Sequence, residues 1–488
     1  MRDDKDMTDS AKPGRALEIQ GGVALGKNDA MQDARPKPSP GAALENPPAD
    51  PLQLSELRWS LGFVAMLLYL FVEYMRLSAQ YPIFQAVHIG KIVVGLAVLG
   101  WLVAPRVRRA GPAVQAADIV LGVLVLTTTI SAIFARDQES AWNTVLDLLR
   151  WALIYFLIGR IIVSSWRHRI FMFLFLLLNL KMAQATIRSF HSAKQFGESA
   201  EAMAKFGFGA GSVGFFANAG DFGVAMCVVW PLAGILLLGE SKKLPRLFFL
   251  ISFLAYSGAI VVCGSRGAVL GAVITAAAAW ARNPRRLGAV LIFLLFIPGI
   301  IYVLPQASKQ RWQSAANWQE DKTASQRLSL WMAGLRMFRD HPLLGVGPGN
   351  FPSSYSGKYA GPGEDPSGWV PHSIYIEALS ELGLAGTIPV LLLILLCFRL
   401  NSGTRKRFLP SDRKQRGFEF SLALGLDLAL VGYMVSGAFL AVLYYPHLWI
   451  ILGLSMGLHT AVTNRRVSGL PGDSPQISTV PMSLQRQG

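Results

Sequence analysis

Apolar blocks of roughly 20 residues recur through most of this chain, and short basic joints separate them. A block of that length can cross the hydrocarbon core of a bilayer as one α-helix. Hydrophobic residues make up 52% of the 488 residues and charged residues only 16%, whereas about a quarter of the residues in a soluble domain are charged. The sequence therefore predicts an all-α polytopic membrane protein with about 12 transmembrane helices. The blocks lie at residues 59–77, 87–104, 117–135, 145–164, 170–187, 213–239, 247–263, 267–281, 287–304, 376–398, 418–440 and 448–463.

Five regions follow from the order of these blocks. The first 56 residues are rich in Pro, Ala, Asp and Lys and contain no apolar run long enough for a signal-peptide core, so we expect a disordered tail. The predicted regions are a cytoplasmic tail at 1–56, transmembrane helices 1–9 at 57–304, a periplasmic segment at 305–375, transmembrane helices 10–12 at 376–466 and a disordered cytoplasmic tail at 467–488.

Positive charge predicts which joints face the cytoplasm, because short cytoplasmic loops are enriched in lysine and arginine. Basic residues cluster at alternate joints, near 106–109, 167–169, 242–246, 282–286 and 405–416, and both tails fall on that side. The net charge of +16 therefore indicates topology rather than nucleic-acid binding. The three cysteines are far apart in sequence, so they form neither a disulfide framework nor a Cys/His metal motif.

The polar stretch at 321–386 is the one long interruption of the apolar pattern, and a long insertion between spans is more often functional than a spacer. Apolar residues recur there at helical spacing, at Leu328, Trp331, Leu335 and Phe338. This spacing predicts an amphipathic helix that lies on the membrane surface. Arg327 and Trp331 are four residues apart and would share one face of it.

A glycine-rich turn at 341–351 follows this helix, and it lacks the lysine and the preceding strand of a nucleotide-binding loop. His372 then stands just before the next apolar block. A histidine at an interface is often structural, but it is also the side chain best suited to act as a base near neutral pH.

Two further polar positions lie at predicted outer corners. Arg266 stands between two spans in the Ser-Arg-Gly corner at 265–267. It could anchor at lipid headgroups, but positive charge is scarce on this side, which favours a functional role. Asn218 and Asp221 begin a span after small residues. Helix packing with an N-terminal cap is their favoured interpretation, and a role in substrate binding is the alternative.

Together these motifs resemble the bacterial O-antigen ligase family. His372-Ser373, nine residues, then Gly383-Leu384-Ala385-Gly386 matches the family's H-[NSQ]-x9-G-x-x-G signature. The S-R-G corner, the R-x-x-x-W helix and the P-x-x-G-x-G turn of the family match Ser265 to Gly267, Arg327 with Trp331, and Pro342 with Gly345 and Gly347. The segment from Phe216 to Asn218 before Asp221 is similar to another element common in the family.

The resemblance implies a metal-independent glycosyltransferase without a cofactor, active at the periplasmic face of the bacterial inner membrane. Such enzymes move a glycan from undecaprenyl diphosphate to an acceptor hydroxyl. We expect Arg266 and Arg327 to bind the diphosphate, because arginine forks match phosphate oxygens. His372 would take the acceptor's proton, and direct displacement would invert the anomeric centre. No D-x-D triplet occurs outside the N-terminal tail, which also favours a lipid-linked donor and no metal.

The ligase of lipopolysaccharide biosynthesis, with lipid A-core as acceptor, is the preferred member of the family. The alternatives are an O-antigen-type polymerase and a protein O-oligosaccharyltransferase, which would share the donor half of the site. A transporter of lipid-linked sugars should show internal repeats, and none is evident. The expected partners are thus the lipid-linked glycan, the acceptor and membrane lipids.

Arg136 and the pair Glu377 and Glu381 have weaker assignments. Arg136 could fill the place of a further basic residue that the family often has in an early outer loop. An ion pair with Asp137 or a headgroup anchor is the favoured alternative for this arginine. The two glutamates, four residues apart, could suggest a glycosidase, but their position inside a span favours a buried polar network.

Overall fold

The computed structural model describes residues 59–104, 111–195, 219–282, 322–364, 367, 369–408 and 417–468, all within the compact unit Leu52–Gly488. These residues form helices, with no strand among them, as the composition predicted. The long helices are α1 (Leu61–Met75), α2 (Ile89–Val103), α3 (Pro112–Ile133), α4 (Gln138–Ile161), α5 (Ser165–Gln195), α6 (Ala219–Gly239), α7 (Lys243–Val262), α8 (Arg266–Arg282), α9 (Lys322–Asp340), α10 (Ile374–Lys406), α11 (Phe418–Gly437) and α12 (Pro446–Ser468).

Six of the described helices are long and apolar enough to cross a membrane, namely α3, α5, α6, α7, α10 and α11. Helices α1 and α2 are apolar but shorter. The predicted ninth span at 287–304 and the predicted N-terminal tail at 1–56 lie outside the described residues, as does nearly all of the C-terminal tail. A multi-pass membrane protein is therefore supported, and the count of about 12 spans and the sidedness of the joints stay predictions.

Small residues let the central helices α6, α8 and α11 approach closely, as is common in membrane bundles. A Cβ at Gly432 of α11 would lie 2.5 Å from the carbonyl oxygen of Cys227 in α6. A Cβ at Gly271 of α8 would lie 3.0 Å from the Cβ of Ser436 in α11. This packing fixes the N-terminal end of α8, where the Ser-Arg-Gly corner stands.

Helix α9 forms where the spacing predicted it, but a different face packs against the protein. Leu330, Ala333 and Met337 are fully buried, in a cluster with Phe351, Tyr355 and Tyr359 of the following segment. The predicted apolar stripe points away from this cluster, with Leu328 and Leu335 exposed. The helix thus has apolar residues on two sides, and its placement on the membrane surface stays a prediction.

Candidate functional site

Arg266 is the first residue of α8, directly after the corner that ends α7. The hydroxyl of Ser265 accepts a hydrogen bond from the backbone N–H of Ala268 at 3.3 Å, which caps the helix. At Gly267 an added Cβ would lie 3.1 Å from the Cβ of Phe439, so the corner packs tightly against the loop between α11 and α12. In the Ser-Arg-Gly motif, the serine therefore caps α8, the arginine supplies a positive charge and the glycine allows the close contact with Phe439.

Arg266 and Arg327 line the same cavity, of about 310 Å³, although they come from different helices. We call it the Arg266 cavity. Its other lining residues are Gly267, Leu270, Leu328, Trp331 and Phe439. Two guanidinium groups and no carboxylate line it, so it suits an anion with several oxygen atoms.

Trp331 adds an aromatic ring to the wall of this cavity. Its indole Nε1 is buried and has no hydrogen-bond partner among the described residues. Its ring centroid lies 6.4 Å from that of Phe439, within the range of aromatic contacts. No sequence motif singled out Phe439, because an apolar residue at the end of an apolar block carries no local signal.

The loop that carries Phe439 is fastened by two carboxylates. The Oε2 of Glu377 accepts a hydrogen bond from the backbone N–H of Leu443 at 3.1 Å. The Oδ2 of Asp221 accepts one from the hydroxyl of Tyr445 at 2.8 Å. Asp221 is thus buried in a structural contact near the start of α6 and lines neither of the two cavities that we describe. Asn218 lies outside the described residues.

His372 directly precedes the residue that caps α10, and its backbone is left-handed, with φ 46°. The hydroxyl of Ser373 accepts a hydrogen bond from the N–H of Ile376 at 3.5 Å and so begins the helix. Burial, and then the positive charge of Arg327, lower the pKa of the His372 imidazole below its ordinary value. The ring is therefore neutral at neutral pH and can accept a proton. His372 is electrostatically coupled to Arg327 but is not among the residues lining the Arg266 cavity.

Glu381 of α10 holds the glycine-rich turn by accepting hydrogen bonds from its backbone. Its Oε2 accepts from the N–H of Gly349 at 2.8 Å, and its Oε1 accepts from the N–H of Phe351 at 3.2 Å. Buried N–H groups need such partners. Glu377 and Glu381 therefore belong to a buried polar network, as the sequence favoured.

Gly383 breaks α10 where the turn docks onto it. Its φ of 59° and ψ of −161° are open essentially to glycine alone. Backbone N–H groups beyond the break donate to the turn, from Leu384 to the carbonyl of Pro342 at 2.9 Å and from Ala385 to that of Leu343 at 3.0 Å. The P-x-x-G-x-G turn and the G-x-x-G end of the histidine motif are thus two halves of one contact.

Arg136 stands at the corner between α3 and α4, away from the Arg266 cavity. The expected ion pair with Asp137 is absent from the described contacts, because that carboxylate caps α4 by accepting from the N–H and the hydroxyl of Ser140, at 3.1 and 2.7 Å. Arg136 instead lines a second cavity, of about 480 Å³, which we call the Arg136 cavity. Buried Asn350 ties this corner to the turn, since it exchanges hydrogen bonds with the backbone of Asp137 at 2.7 and 3.0 Å.

Comparison with protein families matches residues 251–405 to the family described as O-antigen ligase. Residues 53–203 match a family of unknown function. No curated protein matches the chain. The first match contains the Ser-Arg-Gly corner, α9, the glycine-rich turn and the whole histidine motif. This match over residues 251–405 confirms the resemblance to the O-antigen ligase family that the motifs predicted.

Proposed function

We propose that this protein is a glycosyltransferase of the O-antigen ligase type. It would move a glycan from undecaprenyl diphosphate to a hydroxyl of lipid A-core at the periplasmic face of the inner membrane. The observation that carries the proposal is the shared cavity of Arg266 and Arg327, because a diphosphate leaving group needs positive charge where negative charge develops.

The Arg266 cavity has the composition that a lipid diphosphate requires. Two guanidinium forks can each bind phosphate oxygens in a bidentate manner. The side chain of Trp331 lines the same cavity beside them. Leu270 and Leu328 line the same cavity and are 43% and 46% exposed, so they offer apolar surface to the first isoprene units of the donor.

His372 is the proposed base. Its lowered pKa keeps the imidazole neutral, and a neutral imidazole accepts the proton of the acceptor hydroxyl as the oxygen attacks the anomeric carbon. The bond from that carbon to the diphosphate breaks on the opposite side, and the electron pair leaves with the diphosphate. One such displacement inverts the anomeric centre and requires no metal ion.

Transfer by the purified full-length protein tests this assignment. The assay combines undecaprenyl-diphosphate glycan with lipid A-core and compares wild type with His372→Ala, for which a loss of about 100-fold or more is expected. His88→Ala is the matched control, because His88 is exposed and has a similar left-handed backbone, with φ 50°. Equal turnover in His372→Ala and wild type would remove the base assignment.

The product identifies the acceptor. Glycan attached to lipid A-core supports a ligase. Lengthened lipid-linked glycan would instead identify a polymerase, and a glycosylated protein acceptor would identify an O-oligosaccharyltransferase. Movement of the lipid-linked glycan across a bilayer without any transfer would overturn the enzyme proposal.

A further inference from the structure

The Arg136 cavity collects basic and aromatic side chains from three separate parts of the chain. Arg136 comes from the corner between α3 and α4, His341 from the end of α9, and Lys358 from the helical turn at Tyr355–Tyr359. No acidic residue lines the cavity. The remaining lining residues are Phe134, Pro342, Leu343, Leu344, Gly345, Val346, Ser354 and Tyr359.

The charge of Arg136 is available to a ligand. The guanidinium makes no hydrogen bond or ion pair with any residue that the structure describes. Lys358 differs, because its ammonium group donates a hydrogen bond to Asp340 at 3.0 Å. The same carboxylate accepts another from the hydroxyl of Tyr359 at 2.9 Å. The charge of Arg136 is therefore uncompensated by any described residue, whereas that of Lys358 is paired with Asp340.

Gly357 leaves the space that the Arg136 guanidinium occupies. A Cβ at this position would lie 2.0 Å from Nη1 of Arg136, far inside van der Waals contact. Because that atom is the end of a flexible side chain, an added methyl group would displace the guanidinium and leave the backbone in place. The glycine thus helps to set the position of the charge.

The two cavities lie at different positions along α9. Arg327 lines the first, and His341, directly after the helix, lines the second. Fourteen helical residues rise about 21 Å at 1.5 Å each. This separation is far larger than one diphosphate group, so the Arg136 cavity needs a different anionic group.

The cavities are nevertheless parts of one framework. Pro342 and Leu343 line the Arg136 cavity, and their carbonyl groups accept hydrogen bonds from α10, the helix that follows His372. A sugar bound in the Arg136 cavity would therefore lie against a turn that is hydrogen-bonded to the helix following the proposed base. Phe134, which is 75% exposed, offers aromatic surface to a sugar ring there.

We propose that the Arg136 cavity binds a sugar carrying a phosphate or a carboxylate group. The anionic oxygens pair with Arg136 and Lys358, and the ring lies against Phe134. The assignment of this sugar to the glycan or to the acceptor rests on the proposed transferase function, but the binding itself does not. The site selects carbohydrate that bears negative charge.

Binding of simple probes to the full-length protein in detergent tests the site without any transfer reaction. The probes are glucose 6-phosphate, glucuronate, inorganic phosphate and neutral glucose, with affinity measured by ligand-observed NMR. We expect the two charged sugars to bind more tightly than glucose or phosphate, and less tightly at high salt. Arg136→Gln and Gly357→Ala should each weaken the binding of the charged sugars about tenfold. Arg188→Gln is the control and should leave this binding unchanged, because Arg188 is exposed and lines neither cavity.

Equal binding by wild type and Arg136→Gln, or no preference for charged sugars, would overturn the proposal. The transfer assay distinguishes the two sources of the sugar. A higher KM for the acceptor alone in Arg136→Gln assigns the anionic sugar to the acceptor, and a higher KM for the donor alone assigns it to the glycan. If transfer fails while Arg136-dependent binding persists, the proposed function is wrong and the binding site stands.

Discussion

The carboxylate of Glu381 accepts a hydrogen bond from the backbone N–H of Gly349 at 2.8 Å. Its second oxygen accepts a hydrogen bond from the backbone N–H of Phe351. One buried side chain of α10 thereby orients the turn that follows α9, and this turn forms part of the wall of the Arg136 cavity. The position of this wall therefore depends on Glu381.

Replacing Glu381 with glutamine should destabilise the protein. An amide has a single acceptor oxygen, so one of the two N–H groups loses its partner, at a cost of about 1–3 kcal/mol. We expect a lower midpoint of thermal unfolding in detergent. Glu139→Gln is the control, because Glu139 is an exposed glutamate whose replacement should change stability by less than about 0.5 kcal/mol. An unchanged midpoint for Glu381→Gln would show that these hydrogen bonds do not hold the turn.

Replacing Gly383 with alanine should be more damaging. The left-handed backbone excludes a side chain, and the Cβ would lie 2.4 Å from the carbonyl oxygen of Leu343. We expect a loss of about 3 kcal/mol or more, measured by the same unfolding experiment.

Gly403→Ala is the matched control on the same helix. Its Cβ would meet only the Cε1 of His459, at 3.8 Å. Alanine is favoured over glycine inside a helix by up to about 1 kcal/mol, so this variant should be neutral or more stable. Similar losses of stability in both variants would mean that α10 tolerates an added methyl group at neither position. The kink at Gly383 would then not explain the effect.

The motifs could be read from the sequence because they need particular residue types. Gly383 must be a glycine, and the cations that share the Arg266 cavity must be charged. Glu381 left no comparable signal as the anchor of the turn, because its partners are backbone N–H groups, which almost every residue carries. Phe439 was likewise invisible, since only the folded loop brings it to Trp331.

The orientation of α9 was predicted only in part for a related reason. Helical spacing identifies apolar stripes, but it cannot tell which of two stripes faces protein. Leu328 belongs to the stripe that the sequence emphasised and is 46% exposed, whereas Leu330 is fully buried. The second stripe packs on aromatic residues of the segment that follows the turn, a contact that local spacing does not encode.

Arg266→Lys should weaken donor use although it keeps the charge. A lysine ammonium lacks the planar fork that binds two phosphate oxygens together, so we expect the KM for undecaprenyl-diphosphate glycan to rise about tenfold. Arg282→Lys, at the exposed far end of the same helix, is the control and should leave the KM unchanged. Intact donor use in Arg266→Lys would exclude bidentate binding by this residue.

The pH dependence of transfer should report the coupling between His372 and Arg327. Only the neutral imidazole accepts a proton, so kcat/KM should fall as the pH drops through the pKa of His372. Burial and the charge of Arg327 lower that pKa, so the midpoint of the acidic limb should lie below about 6.5, the ordinary value for histidine. The measurement is kcat/KM against pH, which follows the free enzyme.

Substitution of Arg327 separates the two causes. Arg327→Gln removes the positive charge, so the pKa of His372 should rise and the acidic limb should move to higher pH, whatever the loss in maximal rate. Arg327→Lys keeps the charge and should leave the midpoint close to wild type. Because burial is the larger cause, the midpoint in Arg327→Gln should still remain below the ordinary histidine value. A limb that stays fixed in Arg327→Gln would show that the titrating group is not His372 or that Arg327 does not act on it.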